Sequence, residues 1–302
     1  MLQLGVIGTG GPNFARLYEP ALRELSARVC VVTVYDSVEY WARKVAGSLQ
    51  IPVAHSYRQI IERSDIDAVL MLSTGWSGIM PLVECLRNDR PVFWAGDRSV
   101  AAEFREPLER ELNASTALPV IEHAEMYSPA SLRLQEMQAS RPDPVESLSF
   151  RFAENGNLEK NRVARVRCYE WLQHMLPGYQ LEPLLQPNQP PAFLARNPRQ
   201  VSSGNSVPIR INIQPQQNPA DPLLEVVTIQ MEYQLAGTSE LRWKERTSAA
   251  ENWQTEDLSR DRTAVSRQLD FFCRRLVGGL IPVHELRARL LAESRADETG
   301  DA

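Results

Sequence analysis

The chain has 302 residues, enough for two domains of ordinary size, and its 43% hydrophobic and 24% charged residues are typical of globular proteins. A net charge of −5 leaves no basic excess to neutralise phosphates, which argues against nucleic acid or an anionic membrane as a partner. No apolar run approaches the length of a membrane span and no charged-then-apolar leader is visible, so we expect a cytoplasmic protein.

The first 36 residues follow the order strand, glycine turn, helix, strand, acid, which is typical of a dinucleotide-binding fold. Gly8 permits a tight turn, and Gly10 lets the backbone approach a diphosphate. Asp36 ends the second apolar run, where a carboxylate can accept hydrogen bonds from both hydroxyls of an adenosine ribose. A turn of this kind that no longer binds a nucleotide is the alternative interpretation.

One position departs from the usual three-glycine spacing. The third glycine would fall on Asn13, which is too bulky for close helix–strand packing, so we interpret the loop as two residues longer, with Ala15 at the small-residue position. The residues predicted to bind the cofactor are Gly8, Thr9, Gly10, Gly11, Asn13, Phe14, Ala15, Asp36, Ser73 and Thr74.

Strand and helix patterns alternate up to about residue 123. Helices are predicted over 39–48, 57–63, 79–88 and 101–114, and strands over 29–35, 50–54, 67–73, 91–94 and 118–123. Alternation of this kind predicts a parallel sheet with ligands at the carboxyl ends of its strands.

The second half has a different pattern. Helices are predicted over 128–139, 163–176, 263–276 and 285–294, and strands over 146–152, 208–213, 225–235 and 239–246, with a hairpin at 236–238. We therefore predict an N-terminal Rossmann domain over 1–124 and a C-terminal α+β domain over 125–302, built on a mainly antiparallel open sheet.

The four cysteines are far apart and form no CxxC pair, so we expect reduced thiols in the core. No set of His, Asp and Glu has the spacing of metal ligands, and no metal site is predicted.

Several segments resemble the glucose–fructose oxidoreductase / inositol dehydrogenase / MocA family. They are LGVIGTGG, IERSDIDAVLMLST, the passage from Tyr127 and Pro129 into SLRLQEMQ, and QLDFFCRRLVGGLIPV. The resemblance implies a Rossmann domain that binds NAD or NADP, an open α/β domain whose outer sheet face forms a homodimer or higher homo-oligomer, and oxidation of a sugar or polyol hydroxyl.

The positions that carry the family's chemistry differ here. The family has a Glu-Lys-Pro motif after the strand that corresponds to residues 91–94, and this chain has AGDRS, in which Arg98 keeps a positive charge but cannot act as a base near neutral pH. The family's second-domain helix carries a His and an Asp, whereas the comparable positions near Cys168 and Trp171 offer neither. Removal of the hydroxyl proton thus lacks both of its usual acceptors.

Other residues are candidates for the missing role. His123 and Glu125 follow a predicted strand and would project to the same side, so they could transfer a proton as a pair, or they could simply be polar groups at a strand end. The predicted catalytic residues are His123, Glu125 and Arg98.

Two functions are compatible with these sequence features. The first is an NAD-dependent oxidoreductase of a small polar substrate, such as a sugar or polyol; NADP is less expected because no arginine follows Asp36. The second is a catalytically silent relative that binds a dinucleotide or another ligand, or that keeps only an interaction surface.

Overall fold

The computed structural model describes residues 1–10, 13–73, 75–95, 100–141, 143–152, 158–176, 179–184, 192–196, 209–218, 221–246, 252–281 and 283–298. The chain divides into two compact units. The first comprises Met1–His123 and Thr263–Leu291, and the second comprises Ala124–Arg262 and the chain from Ala292 onward. Along the described ranges, no helix has the length and apolar character that crossing a membrane requires.

The first unit contains a five-stranded sheet in the order β2-β1-β3-β4-β5, in which all neighbours are parallel. Its strands are β1 (Leu2–Ile7), β2 (Val29–Tyr35), β3 (Ala68–Met71), β4 (Val92–Trp94) and β5 (Pro119–Ile121). Strands β3, β4 and β5 are buried throughout, as expected for strands covered on both faces. The predicted parallel sheet is confirmed.

The helices of this unit connect successive strands. They are α1 (Glu19–Glu24), which follows a π-helical turn over Phe14–Tyr18, α2 (Glu39–Leu49), α3 (Tyr57–Ile61), α4 (Met80–Arg87) and α5 (Ala102–Ala114). The predicted strand over 50–54 is wrong, because this segment contributes only an isolated bridge between Val53 and Val34.

The second unit is built on an eight-stranded sheet in the order β13-β12-β11-β10-β6-β9-β8-β7. Only β6 and β9 are parallel, and the other neighbours are antiparallel. The strands are β6 (Val145–Phe152), β7 (Gln180–Leu184), β8 (Ala192–Arg196), β9 (Ile209–Pro215), β10 (Leu224–Thr228), β11 (Met231–Leu235), β12 (Glu240–Glu245) and β13 (Gln254–Asp257). The helices α6 (Pro129–Ser140) and α7 (Leu158–Met175) complete it. The predicted open, mainly antiparallel sheet is confirmed.

One face of this sheet is apolar and the other is polar. On the apolar face, Phe150 packs against Trp171 of α7 with ring centroids 5.6 Å apart, and Phe193 packs against Tyr169 at the same distance. On the polar face, Arg151 pairs with Glu225 at 3.0 Å, and Glu225 also accepts a hydrogen bond from Gln234. The period-2 alternation of the strands produces this division.

The strand predicted over 225–235 is in fact two strands. A turn at residues 229–230 separates β10 from β11, and the Thr228 hydroxyl closes it by accepting a hydrogen bond from the Met231 N–H at 2.9 Å. Strands β7, β8 and β13 were not predicted, since their sequences lack a clear apolar alternation. The predicted hairpin at 236–238 is present, with Gly237 at φ +81°.

The division of the chain differs from the predicted domains 1–124 and 125–302. The first boundary lies at His123, but the segment Thr263–Leu291 groups with the first unit. Helix α8 (Ala264–Leu276) explains the difference, because its buried face, which includes Phe272, belongs to the apolar cluster of the parallel sheet. The last helix, α9 (Leu286–Glu298), spans the second junction between the units.

The four cysteines are free thiols, as predicted. Three are buried, and burial raises the pKa of Cys85 to about 12 and that of Cys273 to about 11. Burial also raises the pKa of Cys168, with a further contribution from the charge of Glu125.

Candidate functional site: a glycine turn at the carboxyl end of the parallel sheet

The glycine turn begins where β1 ends. The Gly8 N–H donates to the Tyr35 carbonyl of the neighbouring strand at 2.8 Å, and Gly8 has φ +84°. A Cβ at this position would overlap the backbone of Ser73, which follows β3. Only glycine therefore fits at this turn, which lies at the carboxyl ends of three adjacent strands.

The carboxylate of Asp36 faces this turn. Its Oδ2 accepts a hydrogen bond from the Gly10 N–H at 2.5 Å, and its Oδ1 accepts one from the Val38 N–H at 2.8 Å. The residue is only 9% exposed. A carboxylate oxygen has two lone pairs, so each oxygen keeps one for a hydroxyl donor. The sequence predicted this juxtaposition of acid and glycine turn.

A cavity of about 160 Å³ adjoins the turn and the carboxylate. One lining residue is Tyr35, whose pKa is raised by burial and by the negative charge of the neighbouring Asp36. The cavity is lined by Ile7, Gly8, Gly10, Tyr35, Asp36, Ser37, Val38, Trp41, Ser73, Gly75, Ser77 and Pro81.

Two buried hydroxyls at this site lack hydrogen-bond partners among the residues that the structure describes. They are the Oγ1 of Thr9, in the turn itself, and the Oγ of Ser77, in the lining of the cavity. A buried hydroxyl without a partner costs free energy, which a polar ligand would recover. Together with the glycine turn and the carboxylate, these groups fit a nucleotide.

The predicted cofactor residues divide into three sets. Four of them line the cavity: Gly8, Gly10, Asp36 and Ser73. Thr9 lies in the turn, and Gly11 and Thr74 lie outside the described residues. Asn13, Phe14 and Ala15 follow the turn and are not among the described lining residues. Their contact with a cofactor stays a prediction.

The packing role predicted for Ala15 is wrong. Ala15 is exposed, and Phe14 instead is buried in the apolar cluster at 4% exposure. The π-helical turn over Phe14–Tyr18 has a longer period than an α-helix, and it places Phe14 and Tyr18 on the core side. A bulky residue thus fills the place where small-residue packing was expected.

Trp41, in the first turn of α2, is a lining residue that the sequence did not reveal. A Cβ on Gly10 would lie 2.6 Å from Trp41 Cδ1 and 3.0 Å from Asp36 Oδ2. The indole and the carboxylate therefore lie against the same side of Gly10. The sequence offers one indication of this role: Trp41 lies five residues after Asp36, at the start of the following helix.

His123, predicted as a catalytic base, is fully buried in the first unit. Its backbone N–H donates to Gln268 Oε1 at 2.9 Å, and its ring meets that of His284 edge to face, with centroids 5.6 Å apart. Gln268 Nε2 in turn donates to the Ile121 carbonyl at 2.6 Å. These contacts hold the end of β5 against α8.

Glu125, the second predicted catalytic residue, belongs to the second unit. Its Oε2 lies 3.5 Å from Arg167 Nε of α7, and its side chain is 30% exposed.

The third predicted catalytic residue, Arg98, lies outside the described residues. Trp94, four residues earlier in the chain, ends β4, and its buried Nε1 has no hydrogen-bond partner within the described ranges. The catalytic roles of His123, Glu125 and Arg98 stay predictions.

No group of three or more His, Cys, Asp or Glu side chains in the described ranges is arranged to hold a metal ion.

No known family model matches the sequence, and no curated protein matches it. Solved structures do match over the whole chain. A dehydrogenase from Chromobacterium violaceum has 14% identity and a TM-score of 0.74, and the match covers 100% of this chain and 95% of the other. UDP-N-acetylglucosamine 3-dehydrogenase GnnA from Acidithiobacillus ferrooxidans has 14% identity and a TM-score of 0.70, with 99% and 96% covered.

A third match is the dehydrogenase MviM from Clostridium difficile, with 11% identity, a TM-score of 0.71 and 99% of each chain covered. At these identities the similarity establishes the fold. The fold is that of these dehydrogenases: a parallel five-stranded sheet followed by an eight-stranded, mainly antiparallel sheet. The architecture expected from the resemblance to the glucose–fructose oxidoreductase / inositol dehydrogenase / MocA family is therefore confirmed.

Proposed function

We propose that the chain is an NAD-binding oxidoreductase of this family, and that the first unit holds the adenosine and diphosphate of the cofactor at the glycine turn. The observation that carries the proposal is the Gly10 N–H donating to Asp36 Oδ2 at 2.5 Å, beside a cavity at the carboxyl ends of the strands. This is where open parallel sheets bind their ligands.

The charge of Asp36 favours NAD over NADP. Its free lone pairs can accept hydrogen bonds from the two ribose hydroxyls, whereas a 2′-phosphate would meet a carboxylate of the same sign. The next two residues, Ser37 and Val38, supply no positive charge. The hydroxyls of Thr9 and Ser77 are further donors for the diphosphate or the ribose.

When bound, a nicotinamide cofactor supplies hydride transfer, and the protein supplies binding, orientation and proton movement. The substrate class suggested by the resemblance is a sugar, a polyol or a related small polar alcohol. His123, Glu125 and Arg98 are the residues proposed to assist the proton transfer that accompanies hydride movement.

A catalytically silent nucleotide-binding protein is the second candidate. It is favoured by the complete burial of His123 and by the ion pair of Glu125 with Arg167, since neither group is free to receive a proton from a substrate.

Binding and turnover measurements separate the two. Isothermal titration with NADH and NADPH tests the cofactor, and NADH absorbance during incubation of NAD with a panel of sugars and polyols tests the reaction. We expect NADH to bind at least about tenfold more tightly than NADPH. Turnover that is lost in His123→Ala supports the enzyme, whereas binding without turnover on the full panel supports the silent protein.

We also propose that two copies associate through the polar face of the eight-stranded sheet. This face carries a ladder of paired charges across strands, including Arg151–Glu225 and Lys244–Glu232 at 3.0 Å each. Helices α6 and α7 cover the opposite, apolar face of the sheet.

A further inference from the structure

The side chain of Trp41 occupies the space beside Gly10 in the glycine turn. Trp41 Cδ1 lies 2.6 Å and Trp41 Cγ lies 3.0 Å from the position that a Cβ on Gly10 would occupy. The second glycine of a dinucleotide turn leaves this space free so that the ribose and diphosphate can approach the backbone. A nucleotide and the indole cannot both occupy it.

The size of the cavity agrees with this. Its volume of about 160 Å³ is below the roughly 300 Å³ at which small-molecule pockets begin, and Trp41 is one of its walls. The adenosine half of a dinucleotide needs more room than this, and removal of the indole from Gly10 would provide it.

The surroundings of Trp41 allow it to move. The residue is 37% exposed and is not part of the buried apolar cluster. Its ring contacts Tyr40 edge to face, with centroids 5.0 Å apart, and Lys44 Nζ lies 5.4 Å from the ring centroid. Both neighbours lie on α2, so a change of rotamer at Trp41 would not disturb the sheet.

We propose that Trp41 is a gate on the nucleotide site: its indole rests on Gly10 in the free protein and leaves when NAD binds. This inference rests on the proposed function. Trp41 then lowers the affinity for the cofactor, since displacement of the indole costs its packing on the turn. Trp41→Ala is therefore expected to bind NADH more tightly, by about fivefold.

The contact itself can be tested without any nucleotide. Gly10 does not have the positive φ that would strain an alanine, so the expected cost of Gly10→Ala is the overlap of the new Cβ with the indole and the carboxylate. We expect Gly10→Ala to lower the melting temperature less in the Trp41→Ala background than in the wild type. An equal loss in both backgrounds would contradict the contact and overturn the gate.

The second measurement is titration of NADH into the wild type, Trp41→Ala and Trp253→Phe by calorimetry. Trp253 belongs to the second unit and serves as the matched control, with an unchanged Kd. Tighter binding by Trp41→Ala alone supports the gate, and equal or weaker binding overturns it. If none of the three proteins binds NADH, the proposed function fails, which is a separate outcome from a gate that fails while binding persists.

Discussion

Asp36 is the residue on which the proposed choice of NAD over NADP depends. It accepts two backbone hydrogen bonds and keeps one lone pair per oxygen for a ribose. In Asp36→Asn the amide nitrogen replaces one acceptor and the negative charge is lost. We expect NADH to bind about tenfold more weakly and the preference over NADPH to narrow, because the repulsion of the 2′-phosphate is removed.

Calorimetric titration of both cofactors into Asp36→Asn checks this expectation. Asp67→Asn is the matched control, because Asp67 also accepts a backbone N–H, from Gln3 at 2.7 Å, but lies outside the cavity lining. An Asp36→Asn protein that retains the wild-type Kd for NADH and the wild-type selectivity would show that the carboxylate does not meet the ribose.

The buried thiols allow a test of the packing around single residues. Burial raises the pKa of Cys85 to about 12 and of Cys273 to about 11, while the unfolded chain loses these protons near pH 8.5, about the ordinary thiol value. The unfolded state is therefore stabilised as the pH rises above this value, and the free energy of unfolding should fall between about pH 8.5 and 11.

Thiol titration with a disulfide reagent measures the same property directly. In the native protein at pH 8 only the half-buried Cys30 should react quickly, and all four cysteines should react after unfolding. Rapid reaction of Cys85 or Cys273 in the native protein would contradict their burial.

At the scale of elements, α8 is attached to the parallel sheet although it lies late in the chain. Phe272 is fully buried, and its ring centroid is 5.8 Å from that of Phe93 on β4. Asp270, also on α8, pairs with Arg28 at 2.6 Å. Phe272→Ala should therefore lower the free energy of unfolding of the first unit by about 3–5 kcal/mol through lost contacts and a cavity.

Urea unfolding monitored by circular dichroism measures this change. Val277→Ala, just after the helix, removes a side chain that is 72% exposed and should change stability by less than about 0.5 kcal/mol. If Phe272→Ala were equally mild, α8 would not be part of the core of the parallel sheet.

The sequence predicted the first sheet closely because the signals there are local. Strand β2 has the predicted bounds, Val29–Tyr35, and the glycine turn and Asp36 lie where their pattern placed them. The π-helical turn could not be predicted, since it depends on the tertiary packing that buries both Phe14 and Tyr18. The attachment of α8 to the first unit is likewise a long-range contact that periodicity does not encode.

The candidate site was predicted in part for the same reason. Gly8, Gly10 and Asp36 belong to one spaced motif, whereas Trp41 and Ser77 reach the cavity only through the packing of α2 and the turn after β3. His123 lies just after β5, close to the predicted strand end, but its burial against His284 depends on a segment 161 residues later in the chain.

For the molecule as a whole, the proposed dimer forms through the polar face of the eight-stranded sheet. Val227 lies on this face, opposite Ser147 and Glu232 on the neighbouring strands, and is half-buried. Val227→Asp adds a charge next to Glu232 and should convert the dimer to a monomer, because in a symmetric contact the change occurs on both copies.

Light scattering after size-exclusion chromatography gives the mass, and circular dichroism verifies the fold of the variant. Ile229→Asp, in the exposed turn between β10 and β11, is the control and should leave the mass unchanged. A wild-type mass equal to that of one chain, 34.2 kDa, would contradict the proposed dimer.

In the proposed complex, the glycine turn and Asp36 hold the adenosine end of NAD. A crystal structure of the protein soaked with NADH tests it most directly. We expect density for a ribose within hydrogen-bond distance of the Asp36 carboxylate, for a diphosphate against Gly10, and for a Trp41 indole that has left the turn. Density for NADH at another place in the protein would contradict this assignment, whereas an indole still resting on Gly10 beside a bound ribose would contradict only the gate.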